Sequence, residues 1–309
     1  MRFSSIVVAG GFGFLGSHIV HNLKAKGYSV NAFSRRTQID IMHSDLVLEF
    51  LKKERPDVVV NCAAHVGGIA YNQIHPIEIY EDNLRIGFNL LRASFDAGVK
   101  KFVNIMPNCT YPGCLEIYRE ANWWDGPMHE TVLTYGMPRK ALWVHAWVMK
   151  KVHSFNSVHL ILPNLYGPGD HFDPVKSHAL GALIRKVVDA KSKNSQTVEI
   201  WGTGKPIREW GYVEDAAEGI VLSLEKYDDI EVMNIGQGKG YTITETAEMI
   251  RNAVGWGGHF KYDLTKPDGA PKKILDVSKM RQTLNWQPKT PIEEGIRKTV
   301  KWFLESERN

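Results

Sequence analysis

A β-branched run, Ile6-Val7-Val8-Ala9, breaks into Gly10-Gly11-Phe12-Gly13-Phe14-Leu15-Gly16 and passes at once into an amphipathic stretch. Three glycines spaced three apart at a strand-to-helix junction leave few folds open. Gly10 suits a tight turn, Gly13 lets backbone approach a pyrophosphate, and Gly16 lets the helix pack close to its strand. The phosphate would sit on unpaired N–H groups at the helix N-terminus. In this setting the loop is the dinucleotide-binding fingerprint, and Gly10, Gly13, Phe14, Leu15 and Gly16 are candidate cofactor residues.

The alternation begun there continues. A helix to Ala25 ends at Gly27, a strand runs from Tyr28 to Phe33, a helix from Ser44 to Glu54, and a strand from Asp57 to Asn61. A helix over Ile77 to Ala97 and a strand over Lys101 to Met106 follow. The polar stretch between Tyr111 and Thr134 reads as a long functional loop. A helix then runs to about Val152 with Pro138 in its first turn, and a fifth strand spans Val158 to Leu162. This rhythm predicts an α/β fold, a Rossmann-type doubly wound parallel sheet.

From there the alternation weakens. Helices around His178 to Ala190 and Asp215 to Leu224, a strand near Val198 to Trp201, and a strand at Val232 to Gly236 returning to the sheet are expected. Tail helices near Ser278 to Leu284 and Pro291 to Glu305 complete a smaller α/β lobe. The expected division is residues 1–165 with 211–237 for the cofactor, and 166–210 with 238–309 for a substrate.

Composition narrows the function classes. Of 309 residues, 43% are hydrophobic and 23% charged, as in soluble globular proteins. A scattered net charge of +4 gives no footprint for nucleic acid, and Lys191-Ser192-Lys193 reads as a solvated loop. Cys62, Cys109 and Cys114 are too few and odd in number for a disulfide framework, which fits a reducing cytoplasm. The apolar start lacks a charged leader region beyond Arg2, and no run approaches the roughly 20 residues of a membrane span. No spaced set of His, Cys and carboxylates suggests a metal.

The second strand ends in Ser34-Arg35-Arg36, without the acid that would accept from an NAD ribose. Two guanidinium groups are instead available for a 2′-phosphate, so NADP(H) is the expected cofactor. Asp40 and Ile41 are placed near the adenine. Ala63 and Ala64 belong to a small-residue loop passing the cofactor.

Beside these stand further motifs: Ala63-Ala64-x-Val66-Gly67-Gly68-Ile69, Asn108-Cys109-Thr110-Tyr111-Pro112, and Pro163-Asn164-Leu165-Tyr166-Gly167-Pro168. Ser177-His178, Trp201-Gly-x-Gly-x-Pro-x-Arg208-Glu209 and Lys266-Pro267-Asp268-Gly269-x-Pro271-x-Lys273-x-x-Asp276 follow in order. Together they resemble, nearly end to end, the extended short-chain dehydrogenase/reductases of the epimerase/dehydratase family. Among these the chain is most similar to the epimerase/reductases of GDP-linked 4-keto sugars.

The resemblance implies NADP-dependent conversion of a 4-keto nucleotide sugar by C3/C5 epimerisation, C4 reduction, or both. Tyr135 matches the family's proton donor, and Arg139 stands at the matching lysine position, one turn on and on the same helix face. A cation there stabilises a phenolate, but guanidinium does not enter a proton relay. Lys140 points about 100° away. Cys109 matches the epimerase base, activated by a nearby cation, and His178 its partner acid.

Position 107 is proline where the family has Ser or Thr to bond the carbonyl; Asn108 and Thr110 are the available substitutes. Asn108, Asn164, Lys186, Trp201, Arg208, Lys266 and Asp268 match substrate positions, Pro163 a cofactor position, and Asn83 a residue that steadies the backbone. The resemblance also implies a homodimer paired through the helices at 77–97 and 138–152. Pro107 and Arg139 keep open a catalytically degenerate NADP-binding regulator or scaffold. A nucleotide-sugar 4-epimerase usually has the Ser and Lys missing here, and a 4,6-dehydratase's Asp-Glu pair has no counterpart beside Cys109-Thr110.

Overall fold

Val58-Val59-Val60 is buried on both faces, as a central strand of a parallel sheet covered by helices must be. The computed structural model describes residues 3–34, 37, 39–173, 177, 179–266 and 268–307. The first half of the chain forms β1 (Ser5–Ala9), α1 (Phe14–Ala25), β2 (Ser29–Phe33), α2 (Ser44–Glu54), β3 (Val58–Asn61), α3 (Ile69–Ile74), α4 (Pro76–Asp96), β4 (Lys101–Pro107), β5 (Ile117–Tyr118) and α5 (Leu133–His153). Then come β6 (Ser157–Leu162), β7 (Asn164–Tyr166), α6 (Ala179–Ser192), β8 (Thr197–Trp201), β9 (Ile207–Tyr212), α7 (Val213–Lys226) and β10 (Met233–Asn234). The tail holds β11 (Gly240–Thr242), α8 (Ile243–Val254), β12 (His259–Asp263), β13 (Lys272–Leu275), α9 (Ser278–Leu284) and α10 (Ile292–Ser306).

Six strands make one parallel sheet in the order β10-β6-β4-β3-β1-β2. The chain winds outward from β1 to β2, then returns past β1 to build the other half. The loops after β1 and β3 therefore diverge, and this switch point is where α/β sheets bind ligands. Ile19 and Leu23 of α1 and Ile220 and Leu224 of α7 cover one face; Val47 and Leu51 of α2, Leu90 of α4 and Leu142 of α5 cover the other.

A second set of strands follows the path β11-β9-β13-β5, with β7 also on β9, and β12 pairs with β8. Ile184 and Val187 of α6, Ile250 of α8 and Ile296 and Phe303 of α10 form a separate apolar cluster around β8 and β9.

Three expectations need correction. The stretch from Tyr111 to Thr134 contains β5, which pairs with β13 about 155 residues later in sequence and so shows no local pattern. Helix α5 starts at Leu133, so Pro138 lies inside it; the missing N–H leaves the Thr134 carbonyl without its donor. Helix α8 was not anticipated, although its start carries a capping box in which Thr242 and Glu245 satisfy each other's backbone N–H.

Candidate active site

The loop between β1 and α1 is shaped to take an anion. Gly10 has φ of +75°, and a Cβ there would stand 2.9 Å from the Ala63 nitrogen; one on Gly16 would collide with the Gly10 carbonyl oxygen. Gly13 caps α1 in extended conformation with no side-chain bond, and no acidic residue occupies the first turn. The leading N–H groups, those of Phe14 and Leu15 included, lie at the positive end of the helix dipole with no side-chain cap. These residues fit a dinucleotide pyrophosphate.

At the end of β2 the Ser34 carbonyl accepts from the Thr37 hydroxyl at 2.8 Å, closing a turn. Asp40 accepts from the Met42 N–H at 3.0 Å. Ile41 is buried in the core with Phe33 and Val47, and its carbonyl accepts from Asn89 Nδ2 at 2.9 Å. Arg35, Arg36 and His178 lie outside the described residues, as does Pro267.

Ala63, half-buried in the loop after β3, donates to Asn61 Oδ1 at 3.2 Å; Ala64 follows it. The next residue, His65, is tied to α4 twice through Asn83. Its N–H donates to Asn83 Oδ1 at 3.1 Å, and its carbonyl accepts from Asn83 Nδ2 at 2.8 Å. Arg139 on α5 donates from Nη2 to the same Asn83 oxygen at 2.8 Å. Arg139 is 2% exposed, and its Nε has no partner among the described residues, an orphaned donor as a ribose hydroxyl or phosphate oxygen would require.

Tyr135 lies one turn before it, with the Arg139 guanidinium carbon 5.5 Å from the tyrosine ring centroid. Burial raises the Tyr135 pKa above its ordinary value, and the Arg139 charge acts most strongly against that rise. The pair thus supplies a phenol whose anion has one fixed cation. Lys140 points elsewhere: its ammonium group donates to the Trp123 carbonyl at 2.6 Å.

Cys109 sits in a single 3₁₀ turn, Asn108–Thr110, at the end of β4. The expectation that a cation activates it is corrected: burial pushes the thiol up to about 11, against the opposing charges of Lys273 and Arg139. Thr110 is also not a free substitute for the missing hydroxyl at position 107. Its Oγ1 donates to the Pro107 carbonyl at 2.9 Å and accepts from Trp123 Nε1 at 3.0 Å. Asn108 is buried, and its side chain makes no hydrogen bond among the described residues.

In the sequence Lys273 stands out only as part of the Lys266–Asp276 motif. On β13 it pairs in register with Arg208 of β9, and Leu275 pairs with Tyr118 of β5. Burial lowers the pKa of both Lys273 and Arg208; for Lys273 the Cys109 thiolate opposes that fall and Arg208 adds to it, and for Arg208 Tyr118 and Asp268 oppose it. Two half-buried cations side by side beside a cysteine call for an anion. The register of β13 on β9 sets Lys273 beside Arg208, and no local pattern in the sequence signals that pairing.

The outer part of the cluster is an aromatic platform. Trp201 is 61% exposed at the end of β8, with Lys186 and Lys266 each 5.5 Å from its ring centroid. Lys186 also donates to the Glu199 carbonyl at 3.1 Å. Asp268 accepts from the Thr203 N–H at 2.6 Å and its hydroxyl at 2.7 Å, pinning the loop that carries Lys266. Glu209 does not pair with Arg208; it is buried and accepts from the N–H groups of Leu275, Gly238 and Gln237. Asn164 opens β7 opposite Trp210, and Pro163 packs on Gly211.

Residues 6–236 match the NAD dependent epimerase/dehydratase family. A probable GDP-L-fucose synthase 1 of Oryza sativa subsp. japonica is 35% identical over 303 residues, covering 97% of this chain and 92% of the relative. The crystal structure of a GDP-6-OMe-4-keto-L-xylo-heptose reductase from C. jejuni superposes with a TM-score of 0.91 at 26% identity, over 99% of both chains. The GDP-mannoheptose C4 reductase MlghC of Campylobacter jejuni, with NADP bound, gives 0.88 at 27% identity, over 98% of this chain and 99% of the other.

Proposed function

Because the chain belongs to the NAD dependent epimerase/dehydratase family, we propose that it is an NADP(H)-dependent enzyme that converts a GDP-linked 4-keto sugar by C3/C5 epimerisation, C4 reduction, or both. The observation that carries this reading is the chain of interacting polar groups His65–Asn83–Arg139–Tyr135, then Cys109, Lys273 and Arg208. Relatives of matching length act on GDP-sugars, and one solved neighbour carries NADP.

Gly10, Gly13, Phe14, Leu15, Gly16, Ser34, Arg35, Arg36, Asp40, Ile41, Ala63, Ala64, Tyr135, Arg139 and Pro163 hold the cofactor in this reading, and when bound it supplies hydride at C4. Tyr135 gives its proton to the C4 oxygen, and Arg139 stabilises the phenolate left behind. For epimerisation, Cys109 Sγ takes the proton from a carbon beside the ketone, and His178 returns one to the opposite face. Lys273 and Arg139 favour the thiolate form of Cys109 that takes this proton, and Arg208 the diphosphate. Trp201 offers its ring to the base, with Asn108, Asn164, Lys186, Lys266 and Asp268 around the sugar nucleotide.

Residues 1–165 with 211–237 form the cofactor domain of this proposal, and 166–210 with 238–309 the sugar-nucleotide lobe. The separate apolar cluster around α6, α8 and α10 supports that division. A homodimer would cover the exposed apolar stripe of Phe88 on α4 and Val144, Trp147, Val148 and Val152 on α5. No helix among the described residues is long and apolar enough to cross a membrane, and the three free cysteines suit the cytoplasm.

Pro107 and Arg139 favour a second reading, epimerisation without reduction. Incubation with a GDP-4-keto-6-deoxy sugar in deuterated water separates the two. Deuterium entry with NADPH oxidation supports the full reaction, deuterium entry alone supports the epimerase, and neither rejects both.

A further inference from the structure

Lys140 is an ammonium group buried without a carboxylate partner among the described residues. It follows Arg139 on α5, points about 100° further round the helix and is 4% exposed. Its Nζ lies 4.9 Å from the Trp123 ring centroid and 4.4 Å from that of Trp124. Trp143, one turn further along α5, meets both indoles edge-on at 5.5 Å and donates to the Ile230 carbonyl at 2.9 Å. Charged groups on the neighbouring elements are engaged elsewhere: Glu120 accepts from the Asn234 N–H, Asp125 from Asn122, and Arg139 donates to Asn83. The cation is held by one carbonyl and two π faces.

What it holds is the cysteine turn. Trp123, fixed by Lys140 at its carbonyl, donates from its indole to Thr110 Oγ1, which donates onward to the Pro107 carbonyl. On the same helix, Gly136 approaches the Cys109 carbonyl so closely that a Cβ would stand 3.2 Å from it. Helix α5 therefore grips the turn at two points one helical turn apart. In the aromatic pocket, burial lowers the Lys140 pKa to about 8.

We propose that Lys140 is a positioning residue: its ammonium group, clamped between Trp123 and Trp124, braces the Asn108–Thr110 turn and sets how Cys109 is presented to the site. The brace stands on the fold, whatever sugar the site takes.

The test uses intact protein and no substrate. Iodoacetamide labelling resolved by mass spectrometry gives the Cys109 rate, with exposed Cys114 as internal reference. Lys140→Met and Trp123→Phe should each speed Cys109 labelling by about fivefold, the population change expected from losing one hydrogen bond. Lys140→Arg should stay near wild type, and Cys114 should be unchanged throughout. Tryptophan emission titrated from about pH 6 to about pH 10 should show a transition near the Lys140 pKa that vanishes in Lys140→Met. If Lys140→Met fails to fold, Trp123→Phe decides alone. Cys109 labelling unchanged in the folded variants, or an emission transition that survives Lys140→Met, overturns the proposal.

Discussion

Arg139 donates a 2.8 Å hydrogen bond to Asn83, and the same oxygen accepts the N–H of His65. One buried amide thereby couples the cofactor-side loop to the helix that carries Tyr135. Asn83 also donates to the Ile79 carbonyl at 2.7 Å, so all its bonding capacity is used. Asn83→Leu would strand a guanidinium and both backbone groups of His65. The expected cost is about 3 kcal/mol or more in chemical denaturation. A loss below about 0.5 kcal/mol, typical of a surface change, would contradict this coupling.

Arg139 holds a fixed charge beside Tyr135, which a lysine would also supply. Arg139→Lys should therefore keep or raise the rate of NADPH oxidation. Arg139→Met should lower kcat by at least about 100-fold, the low end of what acid–base assistance contributes. Collapse of both variants alike would show that the guanidinium geometry, not its charge, is needed.

Lys273 is the strongest charge acting against the burial-raised pKa of Cys109. Removing a cation disfavours the thiolate, so Lys273→Met should raise that pKa further. At fixed neutral pH, Cys109 alkylation should slow about tenfold for every unit of upward shift. A rate equal to wild type would detach Lys273 from the thiol.

Asp170 offers a pH prediction. Its Oδ2 is buried without a partner among the described residues, and burial pushes the carboxyl up to about 7 from 3.8. Between those values the folded state holds a proton that the unfolded state has lost, so this group makes stability fall as pH rises through the window. Asp170→Asn should remove that slope. Relative to wild type its stability should climb between about pH 4 and about pH 7, by no more than about 4 kcal/mol, and be flat outside. A pH-independent difference would be the contrary result.

Local signals were legible where local physics decides. Helices α2 and α9 begin and end where periodicity placed them, Ser44–Glu54 and Ser278–Leu284. The glycine loop and the return of Met233–Asn234 to the parallel sheet were equally readable. Strands β5, β9 and β13 were not, because their pairing joins residues far apart in the chain. The same distance hid Lys273 beside Arg208 and gave no hint that Trp123 occupies the Thr110 hydroxyl. The sign of the Cys109 shift was misjudged because a sequence displays charges but not the burial that outweighs them.

In the proposed reaction Cys109 and Tyr135, both half-buried, act on one keto sugar beside a nicotinamide. The decisive measurement is solvent deuterium entry into a GDP-4-keto-6-deoxy sugar, followed by mass spectrometry for wild type and Cys109→Ser with NADPH present. Deuterium is expected at the carbons flanking the ketone with wild type and none above background with Cys109→Ser. Equal incorporation by both proteins, or none by wild type, would contradict it.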